Sequence, residues 1–398
     1  MGSLERLTTD AKDILLELER EAQRDQSAKI RIALEEACRD PLAIYKQSKW
    51  YPRYVVWELT LACNMRCEHC GSQAGKARSD ELTLDEMLHV CDELAELECE
   101  RLTLLGGEPL IHPHWFDVAC RIKDNGFRAN VITNGWTLHK PEVCDQLKAA
   151  DLSIVGVSVD GWRESHDKLR SRPGSFDRIV QGLKLLDERE MPIAISTVIT
   201  NDSLQDLEQL YQLFSEHNVR VWQFQVANPL GRMSKSDPLI IQPSRLKDLY
   251  QFVTEKNDAQ QRTRLDISDN VGYFGKYEEQ GIRRSRQGSY FWKGCHAGIQ
   301  AMGIDSNGDI KGCQSLPSLP QFVEGNIRQR PLREIWHDPN AFAYNRQFKL
   351  SDLQGFCAKC QYGPLCKAGC SSAAISHSGH IGNNPMCIYR CENEHLSS

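Results

Sequence analysis

Hydrophobic and polar positions follow two rhythms along this chain. From residue 53 onward, short runs rich in β-branched and aromatic residues recur at Tyr54–Thr60, Arg101–Leu105, Ala129–Thr133, Ser153–Val159, Pro192–Ile199 and Val219–Val226, and each predicts a strand. Between them lie stretches with apolar residues at helical spacing: Leu84–Leu97, Trp115–Lys123, Pro141–Ala149, Phe176–Glu188 and Leu204–Glu216. Thr83 before Leu84-Asp85-Glu86, and Ser175 before Phe176-Asp177, read as helix starts. Strict alternation of strand and helix implies parallel strands joined by right-handed crossovers. Six such units are too few for a closed eight-stranded barrel. The periodicity alone leaves a partial barrel and a doubly wound sheet equally open.

The flanks read differently. Residues 10–37 predict helix, with Ile14, Leu15 and Leu18, then Ile30, Ala33 and Ala37, at helical spacing among many charges. Residues 235–290 are polar and predict one helix, about Leu246–Lys256. The expected organisation is an N-terminal helical extension over 1–52, the α/β unit over 53–234, a bridging region over 235–290 and a cysteine-rich unit over 291–398.

Composition narrows the function classes. Forty-eight basic against 54 acidic side chains leave a net charge of −6, which gives no electrostatic footprint for nucleic acid or an anionic membrane. No apolar run is long enough to span a bilayer, and the first residues lack the apolar core of a signal peptide. Sixteen cysteines without a secretory signal point to metal ligands in a reducing cytoplasm rather than to disulfides. Eight of them crowd into residues 295–391. Cys38, Cys91, Cys99, Cys120 and Cys144, in helix-like stretches, read as small apolar core residues.

The most informative run follows the first strand: Cys63-Asn64-Met65-Arg66-Cys67-Glu68-His69-Cys70. Three thiolates at spacings of four and three can hold three corners of a cubane cluster and leave the fourth iron free, whereas clusters ordinarily take four thiolates. A structural zinc site with His69 as fourth ligand is the competing reading of this segment. The spacing resembles the signature of the radical S-adenosylmethionine (AdoMet) enzymes. The resemblance covers residues 53–391 and implies a partial (β/α)6 TIM barrel with its chemistry at the C-terminal ends of the strands.

Later strand ends carry the same resemblance. Gly106-Gly107-Glu108-Pro109, 36 residues beyond Cys70, is similar to the family motif that meets the AdoMet amino group. Thr133-Asn134-Gly135 and Ser158-Val159-Asp160-Gly161 follow, then Arg170, and after the sixth strand the segment beginning Gln225-Val226. The resemblance implies AdoMet contacts at Gly106, Gly107, Glu108, Pro109, Asn134, Ser158, Asp160, Arg170 and Val226, with Ser158 on the ribose, Arg170 on the methionine carboxylate and Val226 beside the adenine. Arg170 could instead be an ion-pair residue. His166 and Asp167 read as stabilisers of their loop.

A second cysteine field reads Cys295, Cys313, then Cys357, Cys360, Cys366 and Cys370 as C-x2-C-x5-C-x3-C, then Cys387. Asn307-Gly308 predicts a hairpin turn between the first two. A zinc ribbon over 357–370 is the plain alternative. The seven-cysteine order resembles the SPASM domain, which implies two auxiliary [4Fe–4S] clusters and hence three in all. One would take Cys357, Cys360, Cys366 and Cys387, and the other Cys295, Cys313 and Cys370. Residues 296–301 supply no fourth thiolate for the latter, which leaves an open iron, His296, Cys391 or substrate.

The implied activity is reductive cleavage of AdoMet to a 5′-deoxyadenosyl radical that abstracts hydrogen from substrate, with an electron donor such as flavodoxin or ferredoxin. The expected substrate is a ribosomally made precursor peptide, most simply one that is cross-linked. The alternative is oxidation or decarboxylation of a small molecule such as a tetrapyrrole, and a non-catalytic iron–sulfur or zinc module is the rival of another class. Gln314 after Cys313, where sulfatase-maturing relatives have aspartate, argues against that branch. No catalytic base is identifiable.

Overall fold

The computed structural model of the chain describes residues 25–46, 50–233, 238–258, 262–285 and 288–393. Its centre is a parallel sheet: β1 (Tyr54–Glu58), β2 (Arg101–Leu105), β3 (Arg128–Thr133), β4 (Ile154–Ser158), β5 (Ile193–Ile199) and β6 (Val219–Val226) pair in chain order. All six expected strands are present within a residue or two of their expected bounds. Helices Leu84–Glu96, Trp115–Asp124, Pro141–Ala149, Ser175–Glu188 and Leu207–Ser215 return the chain between them. Thr83 caps the first of these as a capping box, with Glu86 reaching back to its backbone.

The polar stretch after β6 contains the expected helix, Leu246–Asp258, and then a seventh parallel strand, β7 (Arg264–Ile267), paired with β6. Four residues among polar neighbours are too short a run for a period to show in the sequence. A two-residue ribbon, β8 (Arg284–Ser285) and β9 (Gly288–Ser289), follows.

The cysteine-rich unit joins the same sheet. Its hairpin, β10 (Ala301–Ile304) and β11 (Asp309–Lys311), turns through Asn307-Gly308 as expected, and β12 (Gly325–Asn326) pairs with β11. Strand β10 lies parallel against β1, so the ten-stranded order is β12-β11-β10-β1-β2-β3-β4-β5-β6-β7. The end of β1 that leads into the first thiol loop is thereby set beside the hairpin turn, where Ser306 Oγ donates to Glu58 Oε1 at 3.1 Å.

Along β5 the burial alternates strictly. Ile193, Ile195 and Ile199 pack in one core with helix residues such as Ile179, Leu183 and Phe214. Each such side chain contributes about 1.5–3 kcal/mol by leaving water. The half-buried alternates, Val198 on β5 and Gln225 on β6, face a cavity in the lumen. Cys91, Cys99 and Cys144 are core residues as expected, whereas Cys38 is exposed and Cys120 only half-buried. Their helices present charged faces to water, and both cysteines fall toward those faces.

Of the N-terminal extension, a helix over 25–39 is described, and the expected helical residues 10–24 lie outside the described residues. Ile30, Ala33 and Ala37 do not join the barrel core. They pack with Phe274, Phe291, Trp292 and Cys295 over the cysteine-rich unit, and Tyr45 donates to Lys293 O at 2.7 Å. No helix among the described residues is long and apolar enough to cross a membrane.

Candidate functional site

The first thiol loop leaves β1 through Thr60, whose carbonyl accepts from Gly107 N at 2.7 Å, while Ala62 O accepts from Glu108 N at 2.8 Å. The Gly106-Gly107 turn therefore lies directly on the loop. A Cβ at Gly107 would stand 2.1 Å from Ala62 O and one at Gly106 2.3 Å from Thr60 O, so no larger residue fits either position. On the far side Arg232 holds the loop closed: its Nε donates to Cys67 O at 2.7 Å and its Nη1 to Ala74 O at 3.0 Å. Arg232 is 165 residues from Cys67, and no local pattern marks it.

Cys67 is buried and Cys63 and Cys70 are half-buried on this loop. Around them lie most of the expected AdoMet positions. Glu108 is fully buried, with Oε1 accepting from Thr133 Oγ1 at 2.7 Å and Leu110 N at 3.1 Å, and Oε2 from Asn134 N at 2.7 Å. Burial pushes its carboxyl up to about 7 against those three donors. Asn134 turns its amide to Asn64 Oδ1 at 2.7 Å and to Cys63 Sγ at 3.8 Å. Ser158 closes β4 opposite Ser196 in the register.

Asp160 anchors a buried charge cluster. Its Oδ2 lies 2.6 Å from Arg170 Nη2 and 3.3 Å from His69 Nε2, and its Oδ1 accepts from Val198 N at 2.9 Å. Burial raises and Arg170, then the neighbouring histidines, lower the Asp160 carboxyl, which ends below its ordinary value. Arg170 also points Nη1 at Cys67 Sγ, 3.9 Å away. Both of its contacts here are made by protein, an ion pair and a thiol. His69, the zinc candidate, is engaged by Asp160 at Nε2, and its buried Nδ1 has no partner among the described residues. His166 accepts from Asp160 N at Nδ1, so its Nε2 carries the proton shared with Ser175 Oγ at 3.2 Å. Asp167 accepts from Gly174 N and Phe176 N at the start of the following helix. Both stabilise the loop as the sequence suggested.

Val226 has its N–H and C=O taken up by the side chain of Asn270, at 3.3 and 2.9 Å. Between the thiol loop, the ends of β5 and β6, and the loop after β11 opens a cavity of about 210 Å³, lined in part by His69, Gln225, Asn228, Lys311 and Gln314. Its far wall is rigid: Asp305 Oδ1 accepts from Lys311 Nζ at 2.9 Å and Gln314 Nε2 at 2.7 Å, and Oδ2 from Ser318 Oγ at 2.6 Å. Asn270, Asp305 and Lys311 carry no motif, and sequence reasoning missed them.

The C-terminal cysteines separate into two groups. Cys357, Cys360, Cys366 and Cys387 line one narrow cavity walled by Phe274 and Tyr362. Burial pushes Cys366 well above its ordinary value, and the thiols of Cys387, Cys357 and Cys360 raise it further. Cys370 is likewise raised by burial and then by Cys295 and Cys313. Beside this second group lies His296, buried, with Nδ1 unpartnered among the described residues. Cys391 stands one helical turn past Cys387, its N–H on Cys387 O at 3.2 Å. Lys367, between Cys366 and Cys370 in the chain, is pushed down to about 7 by burial against the pull of Cys295, Asp40 and Cys366.

Among the described residues no three His, Cys, Asp or Glu side chains converge closely enough to hold a single ion. A cubane asks something else: one thiolate per iron, with the sulfurs spread over separate corners. Thiols gathered in dry cavities are poor anions by themselves, and a coordinating metal deprotonates them outright. The four-thiol cavity and the three-thiol loop both suit such a group.

Comparison with known proteins yields two domain matches. The radical SAM superfamily matches residues 57–214, and the iron–sulfur cluster-binding SPASM domain matches residues 295–361. The chain is 32% identical to the AdoMet-dependent heme synthase of Methanosarcina barkeri, over 85% of this chain and 97% of that one. It is 27% identical to the mycofactocin maturase MftC of Mycolicibacterium smegmatis, over 85% and 83%. In fold it resembles SuiB of Streptococcus suis, solved with bound S-adenosylmethionine, at a TM-score of 0.67 and 16% identity over 96% and 83% of the two chains.

Proposed function

This chain belongs to the radical SAM superfamily and is one of its enzymes, and from that premise we propose that it removes carboxyl groups oxidatively from side chains of an iron tetrapyrrole. The observation that carries this reading is the 32% identity to a heme synthase along 97% of that protein. The sequence alone favoured a ribosomal peptide. That reading stays second, supported by the 27% identity to the maturase MftC.

In this reading Cys63, Cys67 and Cys70 hold the first cluster. Gly106, Gly107, Glu108, Pro109, Asn134, Ser158, Asp160, Arg170 and Val226 surround AdoMet. Cys357, Cys360, Cys366 and Cys387 hold one auxiliary cluster, and Cys295, Cys313 and Cys370 the other, whose remaining iron is open to solvent or substrate. When bound, these groups supply a 5′-deoxyadenosyl radical and one-electron redox capacity. The protein's share is placement. The glycine turn and Arg232 fix the thiol loop, and the Asp160–Arg170 pair keeps a cation beside Cys67. The cavity between the thiol loop and the loop after β11 receives the substrate, with Lys311 and Gln314 on its wall. Electrons come from a donor such as flavodoxin or ferredoxin. Sixteen cysteines, none of them in a disulfide, suit a cytoplasmic protein.

The test is an anaerobic incubation of reconstituted protein with dithionite, AdoMet and an iron porphyrin bearing propionate side chains, followed by mass spectrometry. Carboxyl loss in step with 5′-deoxyadenosine supports the reading. An unchanged porphyrin, with modification of a precursor peptide in the parallel assay, replaces it with the second reading.

A further inference from the structure

Two cysteine groups meet at one short run, Cys366-Lys367-Ala368-Gly369-Cys370. Cys366 lines the four-thiol cavity, while Cys370 has Cys295 and Cys313 as neighbours. The three residues between them are all left-handed, with φ of 54°, 59° and 73°. Two of these are not glycine, and left-handed backbone crowds the Cβ of such residues against the following carbonyl. The surrounding packing must over-determine a bend of this kind.

The side chain inside the bend is a lysine, and it does not behave as a surface lysine does. Long basic side chains normally carry their charge out to water. Lys367 is 4% exposed, and its Nζ makes no hydrogen bond among the described residues. Its Nζ lies 3.9 Å from the centroid of the Tyr45 ring. Its stem crosses Gly294, where a Cβ would stand 3.2 Å from Lys367 Cδ. The side chain thus runs from Cys366 of one group to the residue preceding Cys295 of the other. Asp40 and Tyr45 of the N-terminal extension approach from above.

A buried ammonium with poor pairing is unfavourable, because its lost hydration is not repaid. Protonated thiols return little of that, whereas four-iron clusters with thiolate ligands are anionic and would hold the charge from two sides. We propose that Lys367 is a fixed counter-charge shared by the two auxiliary clusters and that it raises their reduction potentials. The proposal rests on the reading that both cysteine groups hold clusters. Net charge and polar contacts near the sulfurs are what set a cluster's potential within a type. A cation between two clusters favours the reduced, more negative state of each.

The experiment compares the full-length wild type with Lys367→Met and Lys367→Arg after anaerobic reconstitution, by iron content and by EPR-monitored redox titration. The expected result is unchanged iron in all three, auxiliary midpoints shifted to more negative values in Lys367→Met, and midpoints near wild type in Lys367→Arg. Iron loss confined to Lys367→Met also supports a charge requirement. Full iron with unmoved midpoints in Lys367→Met overturns the proposal, as does equal iron loss in both variants, which would make the stem a packing element. Wild-type protein that binds only about four irons would instead remove the cluster reading on which the proposal stands.

Discussion

Asp160 is held by Arg170, His69 and Val198 N, with its own N–H on His166, and it shows where the site's chemistry is concentrated. Asp160→Asn keeps the shape and removes the charge, leaving Arg170 buried without its partner; a loss of about 3–5 kcal/mol in denaturant unfolding is expected. His166 predicts a pH effect of definite sign. Burial pushes it down to about 3 from 6.5, so the folded protein keeps it neutral while the unfolded chain takes up a proton as pH falls below 6.5. Stability is therefore lost progressively between pH 6.5 and about 3, on the order of 2 kcal/mol by pH 5. His166→Asn, which keeps an acceptor near Nδ1, should lose measurably less between pH 7 and pH 5. Gly107→Ala places a methyl group against Ala62 O and should cost about 1–3 kcal/mol, with iron lost from the first site only. At this scale the cysteines and the glycine turn were legible because chemistry fixes their type and spacing. Arg232 and Asn270 were not, because each acts across a large sequence separation through a side chain common on any surface, and neither was Lys311, whose partners in the hairpin and the loop after it carry no motif.

Elements were legible in proportion to their length. The six longer parallel strands and their helices announced themselves by period, and the Asn307-Gly308 turn by its chemistry. Strand β7 was too short to show, and nothing in β10 reveals that it pairs with β1, since strand order is set by tertiary packing. The N-terminal helix was readable as a helix, but its position was not. It covers the second cysteine field through Ile30, Ala33 and Ala37, so Ala33→Asp should bury a carboxylate there and cost several kcal/mol locally. The expected outcome is several-fold faster release of auxiliary iron to a chelator, with AdoMet cleavage at the first site retained. Equal release in both proteins would show that this helix does not guard the clusters. The helix Ile388–Asn393 carries Cys391 past Cys387. Cys391→Ala is expected to keep all iron and activity, consistent with an open iron in the three-thiol group. Loss of one cluster's iron would make Cys391 a ligand.

At the scale of the whole molecule, one ten-stranded sheet brings the first thiol loop and the loop after β11 to the walls of a single cavity. Close to twelve irons and twelve sulfides per chain should bind on anaerobic reconstitution, and a value near four, or stoichiometric zinc, would contradict the assignment of the C-terminal groups. The family could be read from the sequence because its motifs fix cysteine type and spacing so tightly. The substrate could not, because the cavity is assembled from β5, β6 and the loop after β11, which approach one another only in the fold. The central claim is that the loop of Cys63, Cys67 and Cys70 is where AdoMet is cleaved. Its most direct test is 5′-deoxyadenosine release by the reconstituted Cys63→Ala, Cys67→Ala, Cys70→Ala triple variant with dithionite and AdoMet. The account predicts that release is abolished while about two thirds of the iron remains; undiminished release from the triple variant would contradict it.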